Sequence, residues 1–166
     1  MVNTFDTIDG IVGIAIGLGM VLSLFLTETL GITAGGLIVP GYIALHFDQP
    51  INIIITFLIS ILTVGIIKLL SNMMLIYGKR RLVLCLLLGF LFGYIFRQEN
   101  NSEGMFSFIA SYHTYYDIDV IGYIIPGLIA SWMDRQGIAK TISVILITSS
   151  IVAMILIIIS GGQVNV

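Results

Sequence analysis

Four long apolar runs constrain this chain more than any other feature of its sequence. They cover about residues 8–30, 51–70, 82–96 and 141–159. A helix needs about 20 mostly apolar residues to cross the hydrocarbon core of a bilayer, and the third run approaches that length by extending back into its basic flank. Only 10% of the 166 residues are charged, whereas soluble domains average about 25%. The sequence therefore predicts an all-α integral membrane protein, with a single transmembrane domain over residues 1–166.

Two shorter apolar segments lie between these runs, and each contains a Pro-Gly pair. We call residues 35–47 the first broken segment and residues 120–132 the second broken segment. Proline removes a backbone donor and clashes with the preceding helical turn, while glycine tolerates the resulting distortion. Irregular backbone is unstable against lipid, so we expect both segments to be buried among the full spans or to line a cavity.

The two broken segments match each other at a constant separation of 86 residues. The matched residues are Gly36 and Gly122, Ile38 and Ile124, Pro40-Gly41 and Pro126-Gly127, Ile43-Ala44 and Ile129-Ala130, and Asp48 and Asp134. Chance similarity is the alternative, but a rare Pro-Gly pair in register with a matched aspartate favours an internal repeat. We therefore predict two repeats of span, broken segment and span. They cover about residues 8–71 and 82–159, with a basic turn at 72–81 between them and a polar insertion at 98–117 in the second.

The positions of the lysines and arginines indicate whether the broken segments cross the membrane, because positive residues concentrate on the cytoplasmic side. If the segments do not cross, the seven basic residues divide four inside against three outside; if they cross, the division is six against one. The second arrangement agrees better with the rule. It predicts six crossings, two inverted repeats, both termini outside the cell and the basic turn in the cytoplasm.

The chain carries no sequence motif for catalysis of its own. It lacks a Gly-rich Walker loop, an HExxH helix, and Cys or His pairs at metal-ligand spacing. We therefore expect no catalytic residue, metal or cofactor in this chain, while a part in catalysis as a subunit stays open. The net charge of −2 and the lack of a long basic run argue against a nucleic-acid partner.

The broken segments supply the candidate pathway residues. Paired breaks in inverted halves mark the substrate site of many transporters, because a restarted helix presents backbone amides and a partial positive charge. The candidates are Gly36, Pro40, Gly41, Gly122, Pro126 and Gly127, together with Glu28 near the end of the first span. The alternatives are that the breaks only allow close helix packing, and that Glu28 extends to the membrane surface.

Three separated motifs resemble the CapC/PgsC family, the membrane subunit of bacterial poly-γ-glutamate synthase. They are the run LSLFLTETLGITAGGLIVPGYIAL, the turn LIYGKRRL and the later IIPGLIASWMDRQG, and they follow the family's order within about residues 20–159. The family's turn usually reads more like YGRRK, so YGKRR permutes the same charges. The polar insertion and the tail after Ile159 have no part in the resemblance.

The resemblance implies a multi-subunit machine in the bacterial cell membrane. A cytoplasmic amide ligase similar to the Mur ligases (CapB/PgsB-like) would activate glutamate with ATP and Mg, and a largely extracellular subunit (CapA/PgsA-like) would complete the assembly. This chain would anchor the ligase and assist elongation or export of the polyanionic polymer. The expected ligase contacts are Tyr77, Lys79, Arg80, Arg81 and Arg135, although topology alone also explains positive charge in that turn.

Two other functions remain open from the sequence. A free-standing small-solute transporter would also carry inverted repeats, and it should move its substrate without any partner. A structural membrane anchor without a pathway would need the Pro-Gly pairs only for helix packing. For such an anchor, replacing Gly41 or Gly127 with Ala should lower stability without selectively stopping polymer output.

Overall fold

The computed structural model describes residues 8–73, 78–100 and 120–159. Tyr77 and the polar insertion from residue 101 onward lie outside the described residues. The helices are α1 (Ile8–Leu30), α2 (Val39–Leu45), α3 (Pro50–Met73), α4 (Lys79–Asn100), α5 (Ile125–Gln136) and α6 (Ile138–Ile159). Within these ranges the chain forms no strand, which confirms the all-α class.

Four of the helices are long and apolar enough to cross a membrane. The spans are Gly10–Thr29 in α1, Pro50–Ser71 in α3, Lys79–Gln98 in α4 and Ile138–Ile159 in α6. The third predicted run does extend back into its basic flank, since α4 begins at Lys79. Large apolar side chains such as Leu58 and Leu87 stand exposed on these helices, and they suit contact with lipid tails, which are equally apolar. The helices therefore support the prediction of a membrane protein.

The Pro-Gly pairs begin helices and do not interrupt them. Pro40 lies in the first turn of α2, and Pro126 lies in the first turn of α5. Proline fits there because the N–H that it lacks would have no helical partner and its fixed φ matches the helix. The irregular backbone comes before the proline and includes positive φ angles at Gly35 (70°), Gly36 (124°) and Gly122 (61°). Each predicted break is thus a helix start preceded by an irregular stretch.

The chain divides into two compact units whose boundaries differ from those of the predicted repeats. Unit 1 comprises residues 1–48 and 132–166, and unit 2 comprises residues 49–131. Consequently α6 packs with α1 and α2 in unit 1, and α3 packs with α4 in unit 2. Each unit joins a span and a broken segment of one predicted repeat to the last span of the other.

In unit 1 the first broken segment runs antiparallel to α1. The Ser23 hydroxyl donates to the backbone O of Gly36 at 3.3 Å, and Gly19, one turn earlier on α1, faces Gly41 further along the segment. A cluster of apolar residues from α1, α2 and α6 continues this contact toward the start of α1. Its buried members are Ala15, Ala44, Leu45, Val152 and Leu156.

The second broken segment follows the same antiparallel course beside α4 in unit 2. Arg97, in the last turn of α4, donates from its guanidinium to the backbone O of Val120 at 3.2 Å. Gly89, two turns earlier on α4, faces Gly127 further along the segment. In both units, therefore, the chain leaves a span and returns along it.

Candidate functional site

In unit 1, α1 and α2 cross with their backbones in contact at Gly19 and Gly41. A Cβ atom added to Gly19 would lie 2.6 Å from the backbone N of Gly41, and one added to Gly41 would lie 2.6 Å from the backbone O of Ala15. Real Cβ atoms essentially never come so close to another heavy atom. Because the obstructing atoms belong to the backbone, only movement of a whole helix would relieve the clash. Small residues permit this kind of approach between membrane helices.

Unit 2 contains the same crossing at Gly89 and Gly127. A Cβ added to Gly127 would lie 2.7 Å from the backbone O of Cys85, and one added to Gly89 would collide with the backbone of Gly127. Gly19 and Gly89 are 70 residues apart in the sequence, as are Ala15 and Cys85. The two crossings therefore use the same register of span against broken segment.

The predicted pathway residues occupy three kinds of environment. Pro40, Gly41, Pro126 and Gly127 are buried, Gly36 and Gly122 are half-buried, and Glu28 is exposed. The residues of the first segment come together in unit 1 and those of the second in unit 2. The contacts at Gly41 and Gly127 favour the close-packing interpretation of these two glycines, and a role in a pathway stays a prediction.

Polar side chains hold the irregular stretch of unit 1. The Gln136 side chain accepts a hydrogen bond from the N–H of Thr33 (3.2 Å) and donates to the backbone O of the same residue (2.6 Å). It also donates to the hydroxyl of Thr141 at 3.1 Å. Backbone groups outside a helix have no water to bond within a bilayer, so the protein must supply their partners.

In unit 2, different side chains form hydrogen bonds with the backbone at the start of the second broken segment. The Thr56 hydroxyl of α3 accepts a hydrogen bond from the N–H of Ile121 at 3.0 Å. Arg97 bonds the carbonyl of Val120, and its guanidinium carbon lies 4.3 Å from the ring centroid of Tyr123. The start of the second broken segment is therefore attached to both spans of its unit.

Sequence reasoning missed these holding residues, and only some of them leave a signal. Thr56 and Thr141 each begin a Thr-x6-Thr pattern in the last span of a repeat, 85 residues apart, and both are buried. That pattern and the matched Gly19 and Gly89 would have emerged from aligning the full spans as well as the broken segments. Gln136 leaves no pattern, because its partner Thr33 lies 103 residues away.

The predicted ligase contacts lie in both units. Lys79 and Arg80 are exposed at the start of α4, and Arg81 is half-buried beside them. Arg135 is exposed near the end of α5, with its guanidinium carbon 5.5 Å from the ring centroid of Trp132. Their role in binding a ligase stays a prediction, and Tyr77 lies outside the described residues.

Side chains that could ligate a metal do not cluster where the structure describes them. Within residues 8–73, 78–100 and 120–159, no three His, Cys, Asp or Glu side chains come together as a metal site. The Nδ1 atom of His46 lies 2.9 Å from the backbone O of Tyr42, one turn earlier in the chain. Cys85 is buried where α4 meets the second broken segment. The features that recur between the units are therefore backbone crossings and hydrogen bonds to the backbone.

Comparison with known proteins confirms the resemblance seen in the sequence. The family model described as capsule biosynthesis CapC matches residues 18–142. The chain is 36% identical over 137 residues to the capsule biosynthesis protein CapC of Bacillus anthracis, which covers 82% of this chain and 87% of that protein. The same identity and coverage hold for the PGA biosynthesis protein CapC of Bacillus subtilis. No solved structure matches the chain.

Proposed function

This chain belongs to the CapC family of capsule biosynthesis proteins, and we propose that it is the membrane subunit of a bacterial poly-γ-glutamate synthase. The observation that carries the proposal is the 36% identity, over 82% of the chain, to a protein named for PGA biosynthesis. The four apolar helices support a place in the cell membrane. Glutamate activation, with ATP and Mg, is the task of a cytoplasmic ligase that this chain anchors.

The arrangement proposed for the chain in the membrane has six crossings. The antiparallel course of each broken segment along its preceding span supports this arrangement. Helix α2 alone has seven residues, about 10 Å of helix, so a crossing must include the irregular stretch before it. Six crossings leave both termini outside and six of the seven basic residues inside, with Arg97 as the exception.

Anchoring of the ligase is assigned to the cytoplasmic start of α4. Lys79 and Arg80 are exposed there, and a basic surface of this kind attracts an acidic partner. Assistance to export is assigned to the two broken segments. The polymer carries one carboxylate per residue, and charges cannot cross hydrocarbon unaided. Irregular backbone held by side chains inside the protein is the kind of structure that can line a polar passage.

The first test asks whether synthesis depends on this chain. Membranes containing the partner ligase, with and without this chain, receive ATP, Mg and labelled glutamate, and protease-resistant polymer is measured. We expect polymer only when the chain is present. Equal amounts with and without it would overturn the proposal that it is a synthase subunit.

A second test separates export from anchoring. Inverted vesicles carrying the whole complex make labelled polymer, and an added γ-glutamyl hydrolase digests what remains outside them. If the chain assists export, a large share of the polymer is protected in the lumen until detergent is added. If this chain is only an anchor, the polymer is fully digested although ligase remains bound to the vesicles.

A further inference from the structure

The Ser149 hydroxyl is buried in α6 without a hydrogen-bond partner. Its side chain is 0% exposed, and its oxygen bonds no other group among the residues that the structure describes. The neighbouring Thr148 hydroxyl is equally buried, but it donates to the backbone O of Val144 at 2.7 Å. A hydroxyl that is removed from water and left unpaired destabilises the folded state. Ser149 therefore calls for an explanation other than stability.

The matched position in unit 2 shows that the fold does not require this hydroxyl. The Thr-x6-Thr patterns of α3 and α6 match at a separation of 85 residues, and this register pairs Ser149 with Val64. The Val64 side chain is 1% exposed, so both positions are fully buried. Unit 2 fills its position with an apolar side chain, whereas unit 1 has an unpaired polar group at the same point of the last span.

Ser149 lies where a polar part of unit 1 meets the apolar cluster of α1, α2 and α6. Val152, one turn later on α6, belongs to that cluster. In the opposite direction, toward the irregular stretch, lie buried and half-buried polar side chains that we call the polar half of unit 1. They are Ser23, Thr33, Gln136, Thr141, Thr148 and Ser149 itself. Hydrogen bonds from Gln136 to Thr33 and Thr141 hold the far end of the polar half together.

The polar half and the apolar cluster should interact differently with water. Thr141 and Thr148 donate their protons to carbonyls of the preceding turn, but a hydroxyl oxygen has two lone pairs and can still accept a bond from water. The Ser149 hydroxyl can both donate to water and accept from it. An apolar constriction excludes water, and this exclusion can close a passage through a membrane protein.

We infer that water enters the polar half of unit 1 as far as Ser149, and that the apolar cluster is the barrier that closes this passage. The inference rests on the proposed export function and on the six-crossing arrangement, in which the Gln136 end of unit 1 faces the cytoplasm. The unpaired Ser149 hydroxyl destabilises the dry packing and gains a partner when water arrives. It therefore shifts the equilibrium toward the hydrated state, which a charged polymer needs in order to cross.

The first test is thiol labelling in inverted vesicles that carry the whole complex, with ATP and glutamate present. All variants carry Cys85→Ala, which removes the native thiol and installs the residue of the matched position, Ala15. A small hydrophilic methanethiosulfonate is added to the cytoplasmic face. The thiol of Ser149→Cys should react at least about tenfold faster than those of the two controls, because only a hydrated thiol forms the reactive thiolate. The controls are Val64→Cys at the matched buried position and Ile147→Cys on the exposed face of α6.

The second test replaces the hydroxyl with the side chain of the matched position. Ser149→Val should raise the unfolding temperature of the purified chain, because it removes an unpaired buried group. It should also lower the share of polymer protected in the vesicle lumen by about fivefold or more, the shift that the desolvation of one hydroxyl allows. Ser149→Ala removes the hydroxyl without adding volume and should change both quantities in the same directions. Thr148→Val is the control for stability, and it should not raise the unfolding temperature because its hydroxyl is already bonded.

Opposite changes in stability and export distinguish a hydration site from a packing position, at which both would fall together. The inference is overturned if the thiol of Ser149→Cys reacts no faster than the controls, if Ser149→Val lowers the unfolding temperature, or if it leaves the protected share of polymer unchanged. If vesicles with the native chain protect no polymer, the proposed export function fails by itself. The labelling, which is read on the chain and not on the polymer, then decides alone whether water reaches Ser149.

Discussion

Units 1 and 2 use one backbone arrangement and differ in the side chains that surround it. Both have a span crossed at a glycine by the start of a short helix, with residues in the same register. Unit 1 holds its irregular stretch with a glutamine and a serine, whereas unit 2 uses a threonine and an arginine. Features that the two units share are those that the fold requires. Features that differ between the units are not required by the fold, and they can therefore serve a function.

The glycine crossings are where the comparison predicts the largest effects. Gly41→Ala and Gly127→Ala should each lower the free energy of unfolding by about 3 kcal/mol, the upper end of the usual cost of overpacking, because the clash is with backbone. Unfolding in detergent, followed by circular dichroism, measures this. Gly17→Ala and Gly65→Ala are matched controls, since an added Cβ meets nothing within 4 Å there, and they should be neutral or stabilising by up to about 1 kcal/mol. Tolerance of alanine in one unit alone would show that the crossings are not equivalent.

Gln136 should have the next largest effect, and it is confined to unit 1. Gln136→Leu removes the partners of the Thr33 N–H and carbonyl, and unpaired buried groups of this kind cost about 2 kcal/mol together. Hydrogen exchange should speed up around Thr33 while the second broken segment keeps its protection. Exchange that accelerates equally in both segments would contradict the assignment of Gln136 to unit 1.

Thr56 provides the corresponding test in unit 2, with a smaller effect. Thr56→Val removes the acceptor of the Ile121 N–H and should destabilise by about 1 kcal/mol. Thr63→Val is the matched control on the same helix, because its hydroxyl bonds only the carbonyl of Ile59 one turn earlier. If the two variants lose equal stability, the bond between Thr56 and Ile121 contributes nothing of its own.

Tyr123→Leu should have the smallest effect of these substitutions. It tests whether unit 2 accepts the residue that unit 1 has at the matched position. Leucine is the residue at the matched position, Leu37, so the fold should accept it with a loss of about 0.5 kcal/mol, the value of an exposed cation–π contact. Thermal unfolding measures this loss. A fall of several kcal/mol would show that the Tyr123 ring and its contact with Arg97 are part of the core of unit 2.

The helices of this fold could be predicted from the sequence because the patterns that indicate them are local. Each long apolar run became a helix of spanning length, and the Pro-Gly match located both short helices. The structure begins a helix at Pro40 and at Pro126 where the sequence predicted a break, and this difference also has a local cause. A proline within a short apolar segment can interrupt a helix or begin one, and the preference for the first turn favours a beginning.

Which helices pack together was beyond the sequence. A repeat shows which segments are alike, and it carries no information on whether the last span joins its own copy or the other one. The holding residues were equally hidden, since Gln136 and Thr33 lie 103 residues apart and share no motif. Alignment of the full spans would have matched Gly19 with Gly89. A matched pair of glycines among apolar residues is a weak signal, however, unless the helix crossing that requires it is known.

The exchange of last spans has a consequence for how the protein is made. Unit 1 needs α6, which is synthesised after the other five helices described, whereas α1 and α2 are synthesised before the helices of unit 2. During synthesis α1 and α2 lie in the bilayer before α6, their partner in unit 1, has been made. The helices of unit 2 are complete earlier. Incompletely packed intermediates are prone to misassembly. Nascent chains stopped after α5 should therefore be degraded by membrane proteases, whereas chains that continue through α6 to Ile159 should survive.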